Sequence, residues 1–103
     1  MINPEDTKLV TLATNTLVRS GAHQAAALRD TTGRTYVAIN VASPSLTLDA
    51  FEAVLTVALA SGITGIESVV ATGTEPANSK AIKDFAPTAT LFYIDRQGKE
   101  RAL

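Results

Sequence analysis

The sequence contains no cysteine and only one histidine among its 103 residues. A chain without cysteine forms no disulfide, has no thiol nucleophile and offers no thiolate to zinc or to an iron–sulfur cluster. Charge of one sign is not in excess either, because nine Lys and Arg against ten Asp and Glu leave a net charge of -1. Such a chain lacks the long-range field that attracts nucleic acid or an anionic membrane. We therefore predict no metal or other cofactor and no nucleic-acid or membrane partner.

Long hydrophobic runs are missing as well. No uncharged stretch exceeds 14 residues, the length of 53–66, which includes two glycines, whereas a bilayer-spanning helix needs roughly 20 apolar residues. The first residues, Met-Ile-Asn-Pro-Glu-Asp, are acidic, while a secretory leader has a basic region followed by an apolar one. These features predict a cytoplasmic protein.

The composition that remains is that of a globular protein. Hydrophobic residues make up 46% of the chain and charged residues 18%, which allows a real core. The length suits a single domain spanning residues 1–103.

Helix and strand signals alternate along the chain. Asn3 and Pro4 mark a helix start, and apolar residues at spacings of three and four extend this helix to about Arg19. The other predicted elements, in chain order, are strands over Gln24–Arg29 and Thr35–Val41, a helix from Leu48 to about Ala60 capped by Thr47, a strand over Ile66–Ala71, a short helix over Ala77–Phe85 and a strand over Thr90–Ile94. This order predicts an α/β fold: a three-layer α/β/α sandwich with a mixed sheet whose first two strands form an antiparallel hairpin.

The second predicted helix is apolar on nearly every side. Ten of the 14 residues from 48 to 61 are apolar, and Asp49, Glu52 and Thr56 fall on one narrow stripe. Such a helix lies at the centre of a fold. Because a chain this small leaves sheet or helix surface for a partner, we predict a homo-oligomer.

Three short stretches carry a family resemblance. Ala-Ala-Ala-Leu at 25–28, Ala-Ile-Asn-Val at 38–41 and Leu-Thr-Leu-Asp-Ala at 46–50 follow one another in this order. In this respect the chain resembles the cytidine deaminase family over roughly residues 5 to 101. The resemblance implies that family's mixed sheet and central helix.

The same resemblance assigns positions to the family's zinc site. Zinc deaminases activate water on a zinc ion held by three His or Cys ligands, with a proton-shuttling glutamate two residues after the first ligand. The alignment places the first ligand on Asp49 and the shuttle on Phe51. The remaining two ligands fall on Glu75 and Asn78 in one register and on Ala77 and Lys80 in the other. Neither register supplies sulfur or imidazole, and Phe51 is interpreted as core packing.

The resulting hypothesis is a catalytically inactive cytidine deaminase-like protein that lacks the zinc site and acts as a structural or interaction subunit. One alternative is a module that still binds a nucleoside or base in the former active-site pocket through Asn40. Another is an enzyme of altered chemistry built on Asp49, Glu52 and Glu75.

Plainer roles are also open for the polar residues. Asp49 and Glu75 can stabilise helix N-termini with Asn78 as a cap or turn residue, or the three can form an all-oxygen site for a hard cation. Glu52 is either a functional acid with a raised pKa or one that pairs at an interface. His23 is interpreted as a loop histidine rather than a general base, since no pattern places it near Asp49.

Overall fold

The computed structural model describes residues 3–103. Its elements are α1 (Pro4–Ser20), β1 (Gln24–Asp30), β2 (Thr35–Ile39), β3 (Val41–Ala42), β4 (Thr47–Leu48), α2 (Ala50–Ala60), β5 (Ile66–Gly73), α3 (Lys80–Phe85), β6 (Thr90–Ile94) and β7 (Glu100–Ala102). All helices and strands predicted from the sequence are present, and β3, β4 and β7 are additional short strands. Among residues 3–103, no helix is both long enough and apolar enough to cross a membrane.

Five strands form one sheet in the order β2-β1-β5-β6-β7, and β3 and β4 form a separate ribbon. β1 pairs antiparallel with β2 and with β5. β5 and β6 are parallel, while β6 and β7 are antiparallel. The predicted mixed sheet and its antiparallel hairpin are therefore confirmed.

Helices cover both faces of this sheet. α1 lies on one face, where its Leu9 and Ala13 pack with Ala27 of β1. α2 and α3 lie on the other face, where Phe51 and Ile82 pack in one cluster with Leu28 of β1. Ala27 and Leu28 are neighbours on one strand and point to opposite faces, as the two-residue period of a strand requires. The predicted three-layer arrangement is confirmed.

The predicted start of α2 is wrong. The helix begins at Ala50 rather than Leu48, and Asp49 rather than Thr47 is its N-cap. Asp49 and Glu52 form a capping box, in which each side chain accepts the backbone N–H of the other residue. Two N–H groups are satisfied in this way, which a threonine cap alone does not achieve.

The predicted start of α3 is also wrong. The helix begins at Lys80 rather than Ala77. The backbone N–H of Asn78 instead donates to the side chain of Asp49 at 2.7 Å, so the segment before α3 is fixed to the start of α2.

Three strand ends differ from the prediction. β1 ends at Asp30 rather than Arg29, and β5 continues past Ala71 to Gly73. Gly73 has φ +92, and a Cβ there would lie 2.2 Å from the carbonyl oxygen of His23, so only glycine fits this close approach. The predicted strand ending at Val41 stops at Ile39, and Val41 belongs to the β3–β4 ribbon.

An ion network fixes the start of α1 to the sheet. Nη2 of Arg29 lies 2.9 Å from Oδ1 of Asp6, and its Nε lies 2.7 Å from Oε1 of Glu67. Burial acts to lower the pKa of Arg29, but the carboxylates of Glu67 and Asp6 outweigh it and raise that pKa above its usual value. These three residues are called the Arg29 network below.

Candidate functional site

A cleft of about 370 Å³ lies at the N-terminal end of α2. It is bounded by the residue before β1, the end of β2, the β3–β4 ribbon, the start of α2 and the segment after β5. Its polar lining includes His23, Gln24, Asn40, Asp49, Glu52 and Asn78. We call it the α2 cleft. Residues distant in sequence therefore line one cleft, and three of them, Asn40, Asp49 and Asn78, are positions that the family resemblance marks.

Both carboxylate oxygens of Asp49 accept hydrogen bonds from the backbone. Its Oδ1 accepts the N–H of Glu52 at 3.0 Å, and its Oδ2 accepts the N–H of Asn78 at 2.7 Å. Because these donors belong to different segments, Asp49 joins the start of α2 to the segment before α3.

Glu52 completes this arrangement. Its Oε1 accepts the N–H of Asp49 at 3.0 Å and lies 3.3 Å from Nδ2 of Asn78, which donates to it. Asn78 therefore contributes N–H donors to the cleft wall, from its backbone and its side chain alike. Asp49, Glu52 and Asn78 are called the Asp49 network below.

Two further amide side chains that line the cleft are oriented by the backbone. Oδ1 of Asn40 accepts the N–H of Gln24, and Oε1 of Gln24 accepts the N–H of Ala50, each at 3.0 Å. Both carbonyl oxygens are thus used within the protein. The NH₂ groups of Asn40 and Gln24 have no hydrogen-bond partner among residues 3–103, and donor groups are left for a ligand.

Phe51 and Glu75 do not line the α2 cleft. Phe51 is fully buried in the core between α2 and the sheet. Glu75 forms an ion pair with Arg101 of β7. The cleft therefore brings Asp49 and Glu52 together without Glu75, so the three acids do not form one cluster.

The second register of the ligand motif gives no donor set either. Ala77 has no donor atom on its side chain, and Nζ of Lys80 lies 2.5 Å from Oδ2 of Asp84. This ion pair raises the pKa of Lys80. A protonated ammonium has no lone pair for a metal.

The sequence-based interpretation missed the place of His23. This residue lines the α2 cleft together with Asp49, and its carbonyl oxygen accepts the N–H of Thr74 at 2.8 Å. It also lines a second cleft of about 590 Å³ beside α1. His23 reaches both because β1 pairs with β5 so that Gln24 faces Gly73, a pairing that no local sequence pattern indicates.

Comparison with known proteins gives the family. A family model described as cytidine deaminase-like matches residues 2–98 of the chain. The chain belongs to the cytidine deaminase-like family. The family resemblance drawn from the three short stretches is thereby confirmed. No curated protein matches the sequence.

Solved cytidine deaminase structures share the fold of this cytidine deaminase-like chain. The enzyme from Burkholderia pseudomallei is similar with a TM-score of 0.76 at 20% identity, over 94% of this chain and 90% of that one. The enzyme from Mycobacterium leprae gives 0.69 at 15% identity, over 98% and 94% of the two chains. A mutant cytidine deaminase from Mycobacterium tuberculosis gives 0.66 at 18% identity, over 89% and 88%. At these identities the likeness shows a common mixed sheet flanked by helices.

The residues of the α2 cleft in this cytidine deaminase-like chain do not fit a catalytic zinc ion. Zinc in such sites takes thiolate, imidazole or carboxylate ligands. Both oxygens of Asp49 already accept backbone N–H groups, and Asn78 acts as a donor. Within residues 3–103, no three His, Cys, Asp or Glu side chains are grouped so that they could hold a metal ion.

Proposed function

We propose that this member of the cytidine deaminase-like family does not deaminate and acts as a structural or interaction subunit that associates with itself. The observation that carries the proposal is the Asp49 network. At the position that the resemblance gives to the first zinc ligand, both carboxylate oxygens are used to cap α2 and to hold the segment before α3. The Asp49 carboxylate therefore has a structural role, since it joins two backbone segments.

Phe51 supports the same conclusion. The resemblance gives this position to the proton-shuttling glutamate, and the ring here is fully buried and packed. The cleft is lined instead by Glu52, which is one residue further along the chain than Phe51 and so about 100° around the helix. Its Oε1 accepts the N–H of Asp49, so this carboxylate oxygen is also used to build the helix start.

The test combines a zinc measurement with a deamination assay on the full chain. We expect far less than one zinc per chain after incubation with zinc and dialysis, and no uridine from cytidine above the buffer blank. An active zinc cytidine deaminase is the positive control. Asp49→Asn is the matched variant, because a zinc ligand lost there would lower zinc content, whereas the loss of the acceptor for the N–H of Asn78 lowers stability alone. Stoichiometric zinc together with turnover in the unmutated chain would contradict the proposal.

Nucleoside or base binding is a second candidate function. The observation that favours it is the orientation of Asn40 and Gln24, whose NH₂ groups border the α2 cleft with their carbonyl oxygens already used. Hydroxyl and carbonyl oxygens of a nucleoside accept hydrogen bonds from such groups.

Calorimetric titration and thermal unfolding with cytidine, uridine and cytosine test this candidate. A ligand at 100 times its Kd stabilises the folded chain by about 2.7 kcal/mol. Asn40→Asp is the matched variant, since it keeps the oxygen that accepts the N–H of Gln24 and removes the NH₂ donor. We expect this variant to fold and to bind more weakly. No heat and no shift with any of the three compounds would exclude this function.

A further inference from the structure

The two edges of the central sheet differ in chemistry. β2 forms one edge and β7 the other. The sequence of β2 is Thr-Tyr-Val-Ala-Ile, without charge, proline or glycine, whereas β7 reads Glu-Arg-Ala. β2 also pairs with β1 without a register shift. Charges, prolines and bulges are the devices that keep edge strands from pairing with other chains, and β2 has none of them.

Backbone hydrogen bonds at both ends of the hairpin fix which groups of β2 face β1. The N–H of Asp30 donates to the carbonyl of Arg34 at 2.9 Å, and the N–H of Asn40 donates to the carbonyl of Gln24 at 3.3 Å. In an antiparallel pair, hydrogen-bonded and non-hydrogen-bonded positions alternate. The even-numbered residues of β2 therefore bond to β1.

The odd-numbered residues of β2 face away from the sheet. The N–H and C=O groups of Thr35, Val37 and Ile39 point outward, and no residue in 3–103 bonds to them. The edge thus presents a row of unused donors and acceptors.

We propose that this edge pairs antiparallel with the same edge of a second copy, centred on Val37. Val37 then lies opposite the partner's Val37, and Thr35 lies opposite the partner's Ile39. Each such pair exchanges two N–H···O bonds, so this register uses every outward group of β2. A shift by two residues leaves one end of each strand unpaired. The pairing specifies the self-association in the proposed function and rests on that part of it.

A second copy is the occupant that the strand itself favours. A twofold interface must be complementary to itself, and an antiparallel pair centred on Val37 meets this condition for hydrogen bonds and for side chains. No like charges face each other. The β-branched residues at 35, 37 and 39 meet β-branched residues across the interface, a favourable cross-strand combination.

Sedimentation velocity of the full chain over a range of concentrations tests the pairing. Thr35→Pro removes one outward N–H and none that bonds to β1, a change that edge strands tolerate. Thr35→Val keeps that backbone N–H and has a side chain of similar shape. Ala102→Pro removes an outward N–H from the β7 edge. We expect the unmutated chain, T35V and A102P to form the same dimer, and T35P to raise the dimer Kd by about tenfold or more, because each lost hydrogen bond occurs twice by symmetry.

The outcomes separate the inference from the proposed function. If folded T35P, checked by circular dichroism, associates as strongly as the unmutated chain, the β2 pairing is wrong and the proposed self-association uses another surface. If the unmutated chain is a monomer throughout, the pairing and the self-association are both wrong. The zinc and deamination measurements test the absence of catalysis independently.

A cross-link gives a measurement that does not depend on the folding of T35P. The sequence has no cysteine, so Val37→Cys introduces a single thiol. Cα atoms of a hydrogen-bonded antiparallel pair lie about 5.5 Å apart, which leaves the Cβ atoms too far apart for an unstrained disulfide but within reach of a short bismaleimide. We expect a short bismaleimide to give a covalent dimer of V37C and none of A102C. Equal cross-linking of the two variants, or none of V37C, overturns the proposed register.

Discussion

The Arg29 network and the Asp49 network both place a carboxylate at the start of a helix, but they satisfy it in different ways. Asp6, in the first turn of α1, is buried and lies against a guanidinium. Asp49, the N-cap of α2, is half-buried and accepts two backbone N–H groups. The first carboxylate is out of water and is stabilised there by a charged partner. The second is half-buried and accepts backbone N–H groups, so it lines a cleft while it joins two segments of the chain.

The difference has an energetic consequence. Removing one partner of a buried ion pair leaves the other charge buried alone, which is costly. Removing a cap exposes N–H groups that water can reach, which costs less. The two networks are therefore expected to differ in how strongly a single substitution destabilises the chain.

The largest effect is expected for Arg29→Met. The side chains of Arg29 and Asp6 are 12% and 5% exposed, so the variant leaves the Asp6 carboxylate buried without its cation. We expect the free energy of unfolding to fall by about 3–5 kcal/mol, measured by urea denaturation.

Lys8→Met is the matched control for this change. Its partner Glu5 lies 3.2 Å away at the start of the same helix, but the two side chains are 73% and 61% exposed. Exposed pairs contribute about 0–1 kcal/mol. If R29M and K8M lose similar stability, burial of the Arg29 network is not what distinguishes it from a surface pair.

A smaller loss is expected for Asp49→Ala. The variant removes the N-cap of α2 and the acceptor for the N–H of Asn78. We expect about 1–2 kcal/mol of lost stability by urea denaturation. Asp49→Asn keeps an oxygen for the N–H of Glu52 but replaces the one that accepts from Asn78. Its unfolding free energy should therefore lie between those of the unmutated chain and D49A. If D49A loses as much unfolding free energy as R29M, the expected difference between the Asp49 and Arg29 networks is wrong.

Much of the fold could be predicted because its signals are local. Asn3 with Pro4 marked the start of α1, and Gly21, with φ 68, closes it. The apolar character of residues 48–61 indicated the central helix. The capping box is a local signal as well, since Asp49 and Glu52 are three residues apart before an apolar run, and it outweighs the predicted Thr47 cap.

The α2 cleft could be predicted only in part, because its contacts join segments far apart in sequence. Asp49 and Asn78 are separated by 29 positions, and Glu75 and Arg101 by 26. The family alignment marked Asp49, Glu75 and Asn78 alike. Only the folded chain distinguishes Asn78, which lines the cleft, from Glu75, which pairs with Arg101 of β7. The direction of both side chains depends on the loop between β5 and α3.

The smallest effect, confined to acid, is expected at Asp30, a second carboxylate held mainly by backbone N–H groups. Oδ1 of this buried residue accepts the backbone N–H of Thr32 and of Arg34, each at 2.9 Å, and the hydroxyl of Thr32 at 2.7 Å. Desolvation acts to raise the pKa of Asp30, but these hydrogen bonds outweigh it and lower that pKa below its ordinary value of 3.8. A group whose pKa is lower in the folded state contributes stability above its unfolded pKa, and this contribution is lost as pH falls through the folded value.

Asp30→Asn isolates this contribution from the other titrating groups. The difference in unfolding free energy between the unmutated chain and D30N should be constant above an ordinary pKa of 3.8 and should shrink as the pH is lowered further. Urea denaturation of both chains from about pH 7 to about pH 2 measures it. A difference that grows in acid would mean that the hairpin turn favours the protonated carboxyl. Backbone N–H groups would then not be sufficient to hold a buried carboxylate, and a charged partner such as the one in the Arg29 network would be required.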